Sequence, residues 1–468
     1  MQITIVTAGT QGDVQPYVAL GLGLQHVGHQ VRLAAPPRFQ SFIQQWNLDF
    51  APLKYIDYSE EEESEEEKDS DNQSVDLSTE LNTGSESLSK SFLTPFQNLF
   101  WNILEQVDWV PNPWQIVESY ADRLRSSHHN FLNDLRQVCQ GAEAILFAPH
   151  LFPAHDLAEK WNIPCMAACM HPLSRTATFP HPYAPRQLYL GKTYGATLPL
   201  NRLYNQFTYR AFDQLLWRSV QQSINHWRQM TLQLPPVSRW LTPPARMQQR
   251  QIPFLYGYSP VVLPKPSDWS EHLHVTGYWF LDRPANWQPP EDLVAFLAAG
   301  SPPIYVGFGS MRTGDPKALT ALVLQALAQT GQRGILLKGW AGLQSDELPD
   351  SVFLIDSIPH DWLFPQVAAV VHHGGGGTTA AGLRAGIPSI ILPFVGDQLF
   401  WGHQIAQLGV GSAPIPQRQL TAERLAAAIQ TVLNDRAMQA RATAMGERIR
   451  AEDGIAQAIA VFHRYMQA

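Results

Sequence analysis

Apolar runs alternate with helical periods along most of the chain. Ile3 to Thr7 is a short β-branched run ending in Ala8-Gly9. Pro16 to Val27 then has a helical period that Gly28 stops, and Gln30 to Ala35 returns to an apolar run. The same order of strand, helix and strand recurs at Ala144 to Ala148, His155 to Lys160 and Ile163 to Ala168. It implies a parallel sheet with crossover helices, whose loops at the carboxyl ends of the strands form the usual site. The second half restarts the pattern. Pro303 to Gly307, Gly334 to Lys338, Val352 to Ile355, Val367 to Val371 and Ser389 to Pro393 read as strands, with helices over Lys317 to Thr330 and Thr378 to Ala385. The chain is therefore read as an α/β protein of two similar units with a cleft between them. Prolines are dense between Pro235 and Pro290, and the hinge is placed at residues 277–290. This gives a first domain over 1–276, a second over 291–445, and a closing helix over 446–468. The long helical stretch from Ala422 is expected to break near Asp453-Gly454 and cross back to the first unit.

The 468 residues and 52.4 kDa suit two or three domains and rule out a disulfide-stapled miniprotein. Formal charge is −8, but it is unevenly spread. Residues 57–90 hold thirteen acids against two lysines, leaving +3 for everything else. That segment cannot bury enough apolar area to offset its ordering entropy and is read as a disordered insert. From His171 to Arg250 the balance reverses, with ten cations against the single Asp213 and with Tyr204, Phe207, Tyr209, Phe212 and Trp217 interleaved. A basic, aromatic segment of this kind is a candidate for docking on an anionic membrane surface. A solvated helix face beside a core stripe is the alternative. Only three cysteines occur, no stretch of 18 apolar residues is present, and MQITIVTAGTQGD does not read as a signal sequence. The expectation is a cytoplasmic protein, with peripheral membrane attachment as an option and no nucleic-acid partner.

The richest chemistry lies between Pro359 and Gln398. A buried run delivers His372 and His373 to its carboxyl end, Gly374 to Gly377 let the backbone approach a ligand, and Thr378 and Thr379 open a helix. Free amides at a helix N-terminus form an anion site, and an adjacent His adds a side-chain donor, so the arrangement suits a diphosphate. A dinucleotide fold fails on position, because AGTQGD rather than GxGxxG follows the first strand, and no GKS or GKT follows the glycines to make a P-loop.

With PHDWLFP, HHGGGGTTAAGLRAG and PFVGDQLFWG in place, the run from Ile355 to Gly402 resembles the donor signature of family 1 glycosyltransferases. It looks most like their sterol 3-beta-glucosyltransferase branch. GTQGDVQPYVALGLGL, AEKWNIP, FPHP, SPVVLPKPSDW, VTGYWFLD and PIYVGFGS are similar to the same branch in the same order. The resemblance implies a GT-B fold, an α/β architecture of two Rossmann-like domains facing each other across a cleft, with a lipophilic acceptor such as a sterol held mainly by the first domain and a UDP-sugar by the second. By position, it implies that His373 contacts the diphosphate with Gly375, Gly377 and Thr378. Ser310 would reach a phosphate from the opposite wall, and Asp397 and Gln398 would hold sugar hydroxyls. The plant branch carries a Trp where Ser357 stands and a Glu where Ala381 stands, which moves base recognition toward backbone and apolar contacts.

Transfer to a hydroxyl also needs a base. Asp13 lies just past the Gly9 and Gly12 turn that ends the first strand, and the branch resembled uses the Asp of this GDV segment as general base. The competing account is that Asp13 caps the following helix. A single displacement would invert the anomeric centre and turn UDP-glucose, a co-substrate, into a β-glucoside. No metal or other cofactor is expected. A greasy run from Phe92 to Trp109 reads as a pocket wall, a membrane-facing helix or ordinary core. Two functional alternatives stay open: a glycosyltransferase for a carotenoid, macrolide or other aglycone, and a non-catalytic binder of lipid or nucleotide-sugar.

Overall fold

The computed structural model describes residues 1–54, 128–184, 199–309, 311, 315–338 and 348–466. The acidic insert 57–90, the greasy run Phe92 to Trp109 and Ser310 lie outside them. Two parallel sheets organise the molecule. The first has seven strands, β1 (Gln2–Val6), β2 (Gln30–Ala35), β3 (Asp49–Pro52), β4 (Ala144–Phe147), β5 (Cys165–Cys169), β6 (Phe254–Tyr256) and β7 (Leu273–Val275), in the order β3-β2-β1-β4-β5-β6-β7. The second has five, β8 (Ile304–Gly307), β9 (Gly334–Leu337), β10 (Val352–Ile355), β11 (Ala369–His372) and β12 (Ser389–Ile391), in the order β10-β9-β8-β11-β12. Central strands are buried along their length, as in a parallel sheet covered by helices on both faces: Ile3, Ile5, Val6, Ile145 and Leu146 have no exposed surface.

Strand order reverses between β1 and β4 in one sheet and between β8 and β11 in the other. Ligands of open α/β sheets gather at such switch points. Asp13 follows the end of β1, and His373 follows the end of β11, so the topology alone brings both to crevices.

The first helix, Gln11–His26, starts five residues before the Pro16 expected from periodicity. Thr10 and Asp13 nucleate its opening turn, and Pro16 rides inside it at the cost of one backbone bond. At the other end of the chain, helix Ala422–Asn434 is followed by Arg436–Arg450 and, after a turn at Asp453-Gly454, by Gly454–Met466. That last helix packs on the first: a Cβ at Gly23 would lie 2.4 Å from Ile455, and the Nε2 atoms of His29 and His463 are 2.9 Å apart. Residues 276–290 contain neither helix nor strand.

The two units are not separate bodies with a solvent gap. One buried cluster runs from the first sheet into Leu383, Phe400, Trp401, Ile449 and Phe462 of the second half. Gln404 donates to the Val262 carbonyl at 2.7 Å, and the rings of Tyr258 and Trp401 meet edge to face at 5.9 Å.

The basic segment contains a 32-residue helix, Pro199–Met230. Three of its ten cations do not face solvent freely. Arg228 and Arg246 both bind Asp156 and Glu159, and Arg250 reaches Glu159 at 2.5 Å. Their acidic partners lie outside the 171–250 window, so a local charge count overstates the free positive charge. Arg186 and Lys192 are outside the described residues.

Candidate functional site

β1 runs into Ala8-Gly9, and Gly9 has φ +123°, a conformation that disfavours a side chain. A Cβ there would also fall 2.4 Å from Asp13 Oδ2, because the Asp13 side chain folds back over the turn. That oxygen accepts from the Thr10 amide at 2.7 Å and from Thr10 Oγ1 at 3.0 Å. Capping is thus one thing Asp13 does. It does not exhaust the carboxylate, since Asp13 is exposed and forms part of a cavity wall. Two imidazoles that sequence reasoning did not single out stand near it, both just past strand ends. His150 follows β4, and burial lowers its pKa while Asp13 pulls the other way. His171 follows β5 and lines the same wall.

The cavity measures about 1050 Å³, at the top of the range of small-molecule sites, and reaches from these strand ends to the Pro199–Met230 helix. Phe152, Leu173, Phe207, Phe212, Leu216 and Trp269 supply much of its lining. Polar groups gather at several points: Asp13, His150 and His171 at one wall, Asp213 with Arg175 and Arg210 elsewhere, and His181, Tyr183, Asp268 and His272 among the rest. Burial pushes the Asp213 carboxyl up to about 7, against the pull of Arg175. A chamber of this shape and lining accepts a bulky, largely apolar molecule and offers several polar points for orienting it.

In the second unit, β11 ends in His372, and helix Gly376–Ala385 begins four residues later with Gly375 at its N-cap. His372 is fully buried; its Nδ1 accepts from the Gly374 amide at 3.1 Å, and burial holds its pKa well below the usual histidine range. It shapes the turn, as a neighbour of the site. His373 is half-buried and packs over Gly375, where a Cβ would lie 2.4 Å from its Nε2. Burial, reinforced by His360, lowers its pKa to about 4, so it is a neutral hydrogen-bonding ring. Its Nδ1 is buried and has no hydrogen-bond partner among the described residues. Gly377 is exposed and Thr378 half-buried, and the helix opens with its first amides and positive dipole end beside His373. Gly309, at the end of β8, closes on the His373 ring from the other side: a Cβ there would be 3.3 Å from Cε1. The next residue is Ser310.

The Asp-Gln pair is split in its roles. Asp397 occupies the N-cap position of helix Gln398–Leu408 but makes no side-chain cap; Oδ2 accepts from Trp401 Nε1 at 2.8 Å and lies 3.7 Å from His171 Nδ1 across the cleft. Gln398 is buried, its Oε1 accepting from the amides of Phe394 at 2.7 Å and Val395 at 2.9 Å while Nε2 points at Met311 Sδ, 3.2 Å away. In this state the Gln398 amide braces the Phe394–Gly396 loop. Among the described residues no group of three or more His, Cys, Asp or Glu is placed to hold a metal ion, and no helix is long and apolar enough to cross a membrane.

Solved structures share this two-sheet arrangement. CalG4, the calicheamicin glycosyltransferase, matches with a TM-score of 0.63 at 16% identity, covering 100% of this chain and 98% of that one. The spinosyn rhamnosyltransferase SpnG, solved with spinosyn aglycone, matches with 0.60 at 18%, covering 99% and 100%. At such identities the likeness establishes the fold, which is that of the GT-B glycosyltransferases.

Sequence relatives narrow it. Residues 3–105 match the family model described as glycosyltransferase family 28 N-terminal domain, and residues 323–459 match that of the erythromycin biosynthesis protein CIII-like C-terminal domain. A sterol 3-beta-glucosyltransferase of Arabidopsis thaliana, UGT80B1, is 35% identical over the whole of this chain, which spans 68% of that protein. One from Cryptococcus neoformans is 34% identical, again over the whole chain, but there the chain spans 27% of the relative's length. The chain belongs to the sterol 3-beta-glucosyltransferase family.

Proposed function

We propose that the chain transfers glucose from UDP-glucose to the hydroxyl of a sterol or similar lipophilic alcohol, with inversion to the β-glucoside and Asp13 as general base. The observation that carries this reading is the placement of Asp13. It lies on the wall of a large, mostly apolar cavity, and the strand end that shares this wall, at Cys169, runs on to Met170, whose carbonyl oxygen would be 3.8 Å from a Cβ at Gly376 in the Gly-rich helix start of the second unit. The acceptor hydroxyl gives its proton to the Asp13 carboxylate as its oxygen bonds to the anomeric carbon. The bond from that carbon to the diphosphate breaks, and the electron pair leaves with the phosphate. The amides at the start of helix Gly376–Ala385 and the neutral His373 ring then meet the charge that develops, with no metal ion required. Asp397 remains the candidate for a sugar hydroxyl, with Gln398 acting through the loop it braces.

Product mass spectrometry after incubating the protein with UDP-glucose and a mixed sterol and lipid extract tests this directly. A steryl hexoside is the expected product. Hydrolysis of donor with no glycosylated lipid would remove the acceptor assignment.

A peripheral membrane position follows from the same reading, because such acceptors reside in bilayers. Leu200, Leu203 and Phe207 fall on one face at the start of the Pro199–Met230 helix and are 65%, 67% and 62% exposed. Arg202 and Arg210 are exposed beside them, and Phe207 also lines the cavity. Replacing Leu200 and Leu203 together by Ser, neither of which lines the cavity, is expected to weaken co-sedimentation with anionic vesicles several-fold while leaving turnover on detergent-solubilised acceptor. Equal sedimentation of the two proteins would sink the assignment of this face.

A further inference from the structure

His171 has its two ring nitrogens turned toward different parts of the machinery. Nδ1 lies 3.7 Å from Asp397 Oδ2 on the donor side and 3.6 Å from Cys169 Sγ; Nε2 is 3.2 Å from Tyr183 Oη. Tyr183 in turn abuts the loop that carries Asp397, since a Cβ at Gly396 would be 3.6 Å from its ring. It also belongs to a ring cluster on the cavity wall: its centroid is 5.2 Å from His181 and 5.4 Å from Phe212, and His181 stacks on Phe212 at 4.3 Å. All four of these rings line the cavity. An unbroken line of side chains therefore joins the wall against which an acceptor would lie to the carboxylate on the opposite side of the cleft.

We propose that His171 is a positioning residue for transfer, holding Asp397 in place for the donor sugar and making that hold depend on how the acceptor seats against Tyr183, His181 and Phe212. This rests on the reading that the cavity takes the acceptor and Asp397 the sugar. The charges around the ring support it. Burial opposes protonation of His171, but Cys169, Asp397 and Asp13 outweigh it and raise its pKa to about 9. The neighbouring His150 and His181 are driven the other way by burial. His171 is thus held toward its protonated form, facing the Asp397 carboxylate at 3.7 Å and within the field of Asp13. Asp397 is also held by Trp401 Nε1, so loss of the imidazolium loosens its position without freeing it altogether.

The test is donor kinetics at saturating acceptor for the wild type, His171→Gln, Asp397→Asn and the double variant. Expected for His171→Gln is a rise in donor KM of about tenfold with a smaller fall in kcat, and non-additivity: His171→Gln adds little once Asp397 is Asn. The wild type is expected to lose donor affinity as pH rises through about 9, where the imidazolium deprotonates, and His171→Gln to lack that limb. Tyr183→Phe, which removes only the Nε2 partner, is expected to shift donor KM in the same direction by about two- to threefold. It also serves if the Gln variant misfolds. Unchanged donor KM and pH profile in both variants, or effects of His171→Gln and Asp397→Asn that simply multiply, would overturn the coupling while leaving glucosyl transfer intact. Wild-type protein that glycosylates no lipophilic alcohol would overturn the functional reading and this role with it.

Discussion

The two walls of the cleft are built on different principles. The wall proposed for the donor is made of backbone: a strand end, four glycines and a helix start lie within the single stretch from Ala369 to Ala385, and the histidine beside them is kept neutral by burial. The acceptor wall is made of side chains. Asp13, His150, His171 and Phe212 meet around one cavity although about 200 residues separate the first from the last. A local backbone device depends on few residues and fails when one of them is changed. A chamber assembled from distant segments tolerates variation in its lining, which is what lets one fold serve many acceptors.

That contrast can be tested by removing one group from each wall. Asp13→Asn retains most of the helix cap and removes the base, so transfer is expected to fall by about 10²–10⁴-fold with little change in thermal stability. Turnover at the wild-type level would leave Asp13 only a capping role. His373→Ala removes one donor from an anion site that keeps its helix amides. A loss of about 10²–10³-fold in kcat, with partial recovery in His373→Gln, is expected from product assays. If His373→Ala instead left kcat unchanged and abolished folding, the donor wall would be a packing device.

The mildest test concerns the polar group inside the greasy chamber. The folded pKa of Asp213 is raised from 3.8 to about 7, so the folded protein binds more protons than the unfolded chain between these values. The stabilising contribution is full below the unfolded pKa and is lost as pH rises through the folded one. Denaturant titrations are therefore expected to show stability declining over this window, and Asp213→Asn to flatten the decline. A variant with the wild-type slope would mean that the carboxyl is better solvated than its place in the cavity implies.

Much of this was legible without coordinates. The strand and helix alternation was readable because strands covered on both faces are written as continuous apolar runs. The Gly-rich turn between His372 and the following helix was readable because its parts are contiguous. Other features were local yet unread, because side-chain hydrogen bonds to nearby amides leave no periodic signal. The Asp13 cap moved the first helix's start to Gln11, and Gln398, placed on a sugar by its motif position, spends its carbonyl oxygen on the amides of Phe394 and Val395. His150 and His171 carried one weak signal, their position just past predicted strand ends.

The sequence by itself determined the two-unit architecture, the location of the Gly-rich helix start after His372 and the candidacy of Asp13, because each rests on local spacing. Only the tertiary structure decided that Arg228 and Arg246 are neutralised by Asp156 and Glu159, that the two units share a buried core, and that His171 faces Asp397. Those facts depend on which distant segments are folded together. Burial and charge pairing are properties of that arrangement, and no window along the chain contains both partners.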